Sequence, residues 1–214
     1  MTLNVLTFVF IVFCCAALFS RYRSINTYKF TKPLPLLLLL AVAMLEIFSG
    51  NQQSGFFHWA IFGGLLFGLL GDLALLKEKL FLVGLVFFLI GHILYVLAFH
   101  QISEFRIGFS EIAVFSVAAV YGGFVSRAAI KNDKKKYAFP ILLYVTAISL
   151  MVVTSLQTNQ IYFIVGSLLF AFSDAVLGYD KFVSRFKAAQ FLILTTYFSG
   201  QFMIFFGTFI SKIQ

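Results

Sequence analysis

Two aspartates interrupt apolar stretches of the chain that are long enough to form membrane helices. Asp72 lies in IFGGLLFGLLGDLALL at 61–76, and Asp174 lies in GSLLFAFSDAVLGYDKF at 166–182. A carboxyl group in the apolar part of a membrane is costly, and it usually marks a functional site. We therefore take both residues as candidate catalytic groups, because paired carboxyl groups are suited to general acid and base catalysis.

The two aspartates have matching surroundings. Asp72 is followed by Lys79, and Asp174 by Lys181, at the same spacing of seven residues. This pattern predicts a parallel duplication of four helices. Each carboxyl group would lie roughly 7–10 Å from the end of its helix, so both are expected to face one internal cavity. One would donate a proton and the other would act as a base or stabilise positive charge. The alternative is structural, with each aspartate capping a helix end or pairing with its nearby lysine.

The composition places these helices in a membrane. The chain has 214 residues, of which 61% are hydrophobic and 11% charged, and 30 of them are Phe. No soluble domain of this size is so apolar, so we expect an all-α polytopic protein with one integral membrane domain over 1–214.

The net charge is +8, but the basic residues lie in short loops, and no nucleic-acid partner is expected. No Cys/His metal-site spacing or Gly-rich phosphate loop occurs, so neither a metal nor a cofactor is expected.

Hydropathy and length predict eight membrane-spanning helices. Fourteen of the 16 Lys and Arg residues lie in the loops after the first, third, fifth and seventh spans. By the positive-inside rule, both termini are then non-cytoplasmic, and we expect the bacterial inner (plasma) membrane. The predicted spans are 3–20, 33–49, 56–76, 80–100, 107–126, 137–156, 160–180 and 188–210.

Several further residues are candidates for substrate binding. Lys32 precedes the second span at the inner interface, where its ammonium group could bind a phosphate. Folding the third and fourth spans together places His92 about 12 Å from the level of Asp72, at a depth similar to that of Glu46. We therefore expect a Glu46–His92 pair, either lining the cavity or as a structural hydrogen bond. Tyr197 and Gln201 share one face of the eighth span, near the level of Asp174.

The same residues carry a resemblance to a known family. The chain is similar to the YhhN family of membrane proteins, which includes the lysoplasmalogenases, and the similarity rests on the order of several short motifs. These motifs are Lys32-Pro33-Leu34, Gly71-Asp72 followed by Phe81-x-x-Gly84, Gly91-His92-x-x-Tyr95, Ser173-Asp174 with Lys181-Phe182, and Thr196-Tyr197 with Gln201.

The resemblance implies hydrolysis of the vinyl ether bond of a lysoplasmalogen, a lysophospholipid found among membrane lipids. The products would be a fatty aldehyde and a glycerophospho-headgroup, and Asp72 and Asp174 would match the paired aspartates of the family. Vinyl ether hydrolysis needs a positioned acid and a nearby negative charge, which glycosidases also supply with two carboxyl groups. The alternative is a proton-coupled transporter of lipids or small molecules, because such carriers also use internal repeats and intramembrane carboxyl groups. The oligomeric state is left open.

Overall fold

The computed structural model describes residues 3–49, 55–104, 106 and 108–209. This part of the chain is all helical and contains eight segments long and apolar enough to span a membrane. The α-helices are α1 (Leu3–Arg23), α2 (Ile25–Thr31), α3 (Leu34–Phe48), α4 (Phe56–Leu75), α5 (Phe81–Gln101), α6 (Phe109–Lys131), α7 (Ala138–Gln157), α8 (Ile161–Phe182) and α9 (Ala189–Phe209). Short 3-10 turns, Glu78–Leu80 and Lys135–Tyr137, precede α5 and α7.

The eight predicted spans are confirmed, and most of their ends agree to within two residues. The largest difference is in the fifth span, because α6 continues to Lys131 rather than 126. The additional turn carries Arg127 and Lys131. Because both are charged, the composition predicts a loop there, but in the structure they continue the helix. Residues 107 and 210, which were predicted to bound the fifth and eighth spans, lie outside the described residues.

The short helix α2 was not predicted. It follows α1 directly, and the Ser24 side chain caps it by accepting a hydrogen bond from the Thr27 backbone N–H at 3.4 Å. Pro33 and Pro35 have no N–H group, so the hydrogen-bond ladder cannot continue through them. The regular α-helix is therefore interrupted at Lys32 and Pro33, although both residues keep right-handed helical backbone angles, and the Lys32 side chain is buried.

Two helical pairs, α4 with α5 and α8 with α9, form the closely packed centre of the bundle. In the first pair, a Cβ atom added to Gly91 would lie 3.3 Å from the carbonyl oxygen of Gly64. In the second, a Cβ atom added to Gly200 would lie 2.8 Å from the carbonyl oxygen of Gly166. Small residues allow membrane helices to approach this closely. The Gly64–Gly68–Asp72 face is thus a packing face, and both pairs use the same kind of contact, as the proposed duplication requires.

Replacing Gly200 by Ala should destabilise the protein, because the new methyl group would meet the backbone of α8 and neither helix could yield locally. Overpacking of this kind costs about 1–3 kcal/mol. The control is Gly123→Ala, because a Cβ atom there would meet nothing within 4 Å, and Ala favours the helix. Thermal unfolding of the purified protein in detergent should show a lower midpoint for the first variant only. Equal midpoints for the two variants would contradict the close packing.

Candidate functional site

A polar cavity of about 760 Å³ opens among the basic ends of the helices. It is lined by residues from α1 and α2, from α4 and α5, and from α8, α9 and the segment that joins them. Asp72 and Asp174 both line it, as expected from their matching positions. The other two acidic residues of its lining, Glu78 and Asp180, lie nearer the helix ends. Charged residues at its mouth include Arg21, Glu78, Asp180, Lys181, Arg185 and Lys187.

Asp72 forms a buried salt bridge. The Nζ atom of Lys32 lies 3.0 Å from Oδ1 of Asp72 and donates to the Asp72 carbonyl oxygen at 3.2 Å. Both side chains are less than a tenth exposed. Asp72 therefore pairs with a lysine forty residues upstream, not with Lys77 or Lys79. The Lys32 ammonium group, which was predicted to bind a phosphate, is instead directed at Asp72.

A row of polar groups continues from Asp72 into the core. Oδ2 of Asp72 and the hydroxyl of Tyr197 are buried, and neither makes a hydrogen bond of good geometry, although the two side chains lie close enough to interact with each other. Both side chains line the polar cavity. Beyond them, the Tyr95 hydroxyl donates to Oε1 of Gln201 at 2.6 Å. Buried polar groups without a partner are uncommon, so Asp72 and Tyr197 offer an acceptor and a hydroxyl to a bound water or substrate.

Asp174 has different neighbours. The Tyr144 hydroxyl donates to Oδ2 of Asp174 at 2.8 Å, and Nε2 of His92 lies 3.5 Å from the same oxygen. The rings of His92 and Tyr144 meet edge to face, with centroids 5.3 Å apart. No lysine or arginine forms a salt bridge with Asp174 among the described residues. Tyr144 thus holds one oxygen of Asp174 by a hydrogen bond, His92 lies beside that oxygen without one, and Asp174 still lines the polar cavity.

The expected Glu46–His92 pair does not form. His92 lies fully buried on α5 and points across the bundle at Asp174 of α8. Glu46 is only partly buried on α3, in the last turn of that helix. The prediction compared depths but could not tell which side of α5 faces which helix. In the structure His92 faces α7 and α8. A prediction from depth alone therefore paired it with Glu46, whereas the neighbouring carboxyl group is that of Asp174.

Tyr144 was missed altogether. It is one of nine tyrosines, and nothing in the local sequence of the sixth predicted span distinguishes it from a tyrosine that only packs. Its role depends on α7 packing beside α5 and α8. Arg21 was assigned only to a topology-setting loop, yet it lines the polar cavity, and its Nε donates to Oε1 of Gln190 on α9 at 3.1 Å. In the sequence, Arg21 was distinguished only by its position directly after the first predicted span.

A second opening, the apolar groove, lies between α6, α7 and α8. Its volume is about 470 Å³, within the usual range for ligand pockets. Apart from Asp174 its lining is almost wholly apolar or aromatic. It shares three lining residues with the polar cavity, namely Phe81, Asp174 and Leu177. Asp174 therefore lies where a polar and an apolar compartment meet.

Residues 27–208, most of the chain, match the model of the YhhN family. The chain belongs to the YhhN family. The site lies wholly inside the matched region, apart from Arg21. No solved structure matches the chain.

Three curated relatives, all named Lysoplasmalogenase TMEM86B, are similar to this YhhN-family chain. The Rattus norvegicus protein is 25% identical over 150 residues, which is 70% of this chain and 61% of the relative. The Homo sapiens protein is 27% identical over 157 residues, covering 72% and 65%. The Sus scrofa protein is 28% identical over 150 residues, covering 66% and 60%. The chain thus spans about three fifths of the length of the curated relatives it matches.

The arrangement is suited to proton transfer in a confined, largely apolar space. It contains one carboxylate with a lysine partner, and one carboxyl group that accepts a hydrogen bond from a phenol and lies beside an imidazole. The described residues include no cluster of three or more His, Cys, Asp or Glu side chains that could hold a metal ion. The groups present can donate a proton to a substrate, accept one from water and place negative charge beside a developing cation.

The salt bridge predicts a specific pattern of stability. Lys32→Met should leave the Asp72 carboxylate buried without its partner, and breaking such a pair costs about 3–5 kcal/mol. The double variant Lys32→Met with Asp72→Asn should recover much of that loss, because no buried charge is left. Thermal unfolding of the three proteins in detergent measures the effect. A double variant that is no more stable than Lys32→Met would show that the pair contributes little.

Proposed function

We propose that this chain is a membrane hydrolase that cleaves the vinyl ether bond of lysoplasmalogens, releasing a fatty aldehyde and a glycerophospho-headgroup. The observation that carries the proposal is the position of Asp174, a carboxyl group that is hydrogen-bonded by Tyr144 and adjacent to His92, where the polar cavity meets the apolar groove. In a lysoplasmalogen, the scissile vinyl ether joins the long hydrocarbon chain to the charged glycerophospho-headgroup. A site that cleaves it therefore needs a polar region on one side and an apolar region on the other. The names of the curated relatives support the same substrate class.

Asp174 is the proton donor in this proposal. The Tyr144 hydroxyl already donates to Oδ2 of Asp174, which leaves the other oxygen to carry the proton. The proton moves to the β-carbon of the vinyl ether, whose π electrons form the new C–H bond. The α-carbon and the ether oxygen then share the positive charge as an oxocarbenium ion. The Asp174 carboxylate formed in this step lies beside that cation and stabilises it.

Asp72 is the carboxylate that activates water. The Lys32 ammonium group balances its charge through Oδ1, while Oδ2 makes no hydrogen bond of good geometry and can accept a proton from water. The water oxygen bonds to the α-carbon and gives a hemiacetal. Its C–O bond to glycerol then breaks, the hydroxyl proton passes to the leaving oxygen, and an aldehyde and an alcohol result. The net reaction consumes one water, and both carboxyl groups return to their starting states once the proton taken from water reaches Asp174.

The headgroup occupies the mouth of the polar cavity. Arg21 is the best placed phosphate ligand, because the guanidinium group has five N–H donors and only Nε is engaged, by Gln190. The face of Tyr28 lies 5.4 Å from its guanidinium carbon and holds it in position. Lys32 keeps a role at the site as the partner of Asp72. Tyr197, whose hydroxyl lies at the cavity wall beside Asp72 and Gln201, is assigned to substrate binding, and the hydrogen-bonded Tyr95 and Gln201 lie behind it.

Asp174→Asn should abolish aldehyde release and leave the protein folded. The amide keeps the shape and still accepts from Tyr144, but it cannot give up a carboxyl proton, and loss of a general acid lowers rates about 10²–10⁴-fold. Asp72→Asn, tested also with Lys32→Met to avoid an unpaired lysine, should lower the rate at least as far. The assay is aldehyde release from lysoplasmalogen by purified protein in detergent, with thermal unfolding measured in parallel.

The matched control is Asp133→Asn, an exposed loop residue outside the site with a left-handed φ of 57° that asparagine also tolerates. It should retain full activity. Aldehyde release by a folded Asp174→Asn variant would refute the proposed acid. If the wild-type protein releases no aldehyde in detergent but moves lipid across a proteoliposome membrane in response to a proton gradient, the chain is a transporter instead.

Arg21→Gln should raise KM for lysoplasmalogen about tenfold and change kcat little, because the contact is made equally in the bound substrate and in the transition state. Arg23→Gln is the control. Arg23 lies on the same turn of α1 but stacks on Phe19 and does not line the cavity. Steady-state measurement of kcat and KM for the two variants tests whether Arg21 binds the phosphate. Equal effects of both would show only a general attraction of the anionic substrate to a basic surface.

A further inference from the structure

We propose that the apolar groove between α6, α7 and α8 binds the single alkenyl chain of the substrate and sets the chain length that the enzyme prefers. The inference rests on the proposed function for the identity of the substrate. It assigns a binding site of its own, two of whose helices, α6 and α7, contribute no lining residue to the polar cavity.

Asp174, the proposed proton donor, lies partway along the groove, whose lining on α8 runs from Leu168 to Phe182. Phe81, Asp174 and Leu177 line both the groove and the polar cavity. A lysophospholipid whose vinyl ether lies against Asp174 has its headgroup on one side of that bond and its hydrocarbon chain on the other. The headgroup side is the basic mouth, so the chain is directed into the groove.

The groove has the length of a lipid chain. The Tyr121 hydroxyl donates to the carbonyl oxygen of Ala175, so Tyr121 of α6 lies level with Asp174 of α8. From there the groove lining continues along α6 to Ala113, and these eight residues span about 12 Å. The hydrocarbon of one leaflet is about 15 Å deep, half of the bilayer core. A chain that starts at Asp174 can therefore run most of the way across one leaflet inside the groove.

Small side chains open the groove along this path. Ala118, Ala171, Ala175 and Gly178 lie along facing parts of α6 and α8, where larger residues would close the furrow. A Cβ atom on Gly178 would lie 3.1 Å from the Tyr121 hydroxyl, which shows that the Tyr121 side chain of α6 reaches across to α8 near the level of Asp174. Larger apolar residues, among them Val145 and Ile148 of α7, form the other wall. The shape suits one unbranched chain.

Three alanine-to-phenylalanine variants on α6 test the inference. Ala113 and Ala118 line the groove at its far end and near its middle, whereas Ala119 is exposed and does not line it. Ala113→Phe should lower kcat/KM about tenfold for a hexadecenyl lysoplasmalogen and leave an octenyl substrate, whose chain ends short of that position, within twofold. Ala118→Phe should lower both. Ala119→Phe should change neither.

Photolabelling separates this inference from the proposed function. The probe is an alkyl-ether lysophospholipid with no vinyl bond, which cannot be hydrolysed, carrying a diazirine at the end of its chain. Labels mapped by mass spectrometry should concentrate around Val114, Val152 and Leu168, at the far end of the groove, and Ala118→Phe should remove them. Labels spread evenly over the outer helix faces, or equal kinetic effects of Ala113→Phe and Ala119→Phe, would overturn the groove assignment. Absence of aldehyde release with groove labelling intact would refute only the hydrolase.

Discussion

Burial of a carboxylate among apolar helices is the constraint on which the rest of the site depends. Asp72 lies on the face of α4 that also carries Gly64 and Gly68, so close packing of α5 and α9 leaves its charge little water. The charge is balanced by Lys32, which lies at the junction of α2 and α3, where proline interrupts the backbone hydrogen bonds.

The two aspartates occupy matching positions in the sequence of their spans, but they have different environments. The first carboxyl group meets a lysine supplied by the chain before α3, and the second meets Tyr144 and His92. Both partners of Asp174 come from helices that contribute nothing similar to Asp72. Two carboxyl groups become useful as an acid and a base when their surroundings differ in this way. Divergence of the partners, rather than of the aspartates themselves, is what assigns the two roles in the proposed mechanism.

The helices could be predicted from the sequence because each one is encoded locally, by about twenty apolar residues and by flanking charges. The two candidate carboxyl groups could also be found, since Asp72 and Asp174 stand out in their own spans. The contacts between helical pairs could not be predicted from the sequence. The Glu46–His92 prediction failed because depth can be read from a sequence and helix rotation within a bundle cannot. Lys32 was recognised as special, yet its partner depends on the unpredicted helix α2. Tyr144 carried no local signal, because its role comes only from the packing of α7 against α5 and α8.

The packing beyond the site favours chemistry over transport. The polar cavity is bounded on its inner side by a cluster of aromatic rings, in which Tyr197 lies 5.2 Å from Phe170 and 5.8 Å from Phe88 between ring centroids. Behind that cluster the helical pairs meet backbone to backbone at Gly64–Gly91 and Gly166–Gly200. A carrier must open its site to each face of the membrane in turn, usually by moving one repeat against the other. Here the two helical pairs would have to separate these rings, and the glycine contacts would hold each pair rigid while they did so. The proposed hydrolase needs no such opening: in that proposal water and headgroup enter from the basic mouth, the chain enters from the side, and the aromatic cluster keeps the reacting bond away from bulk water.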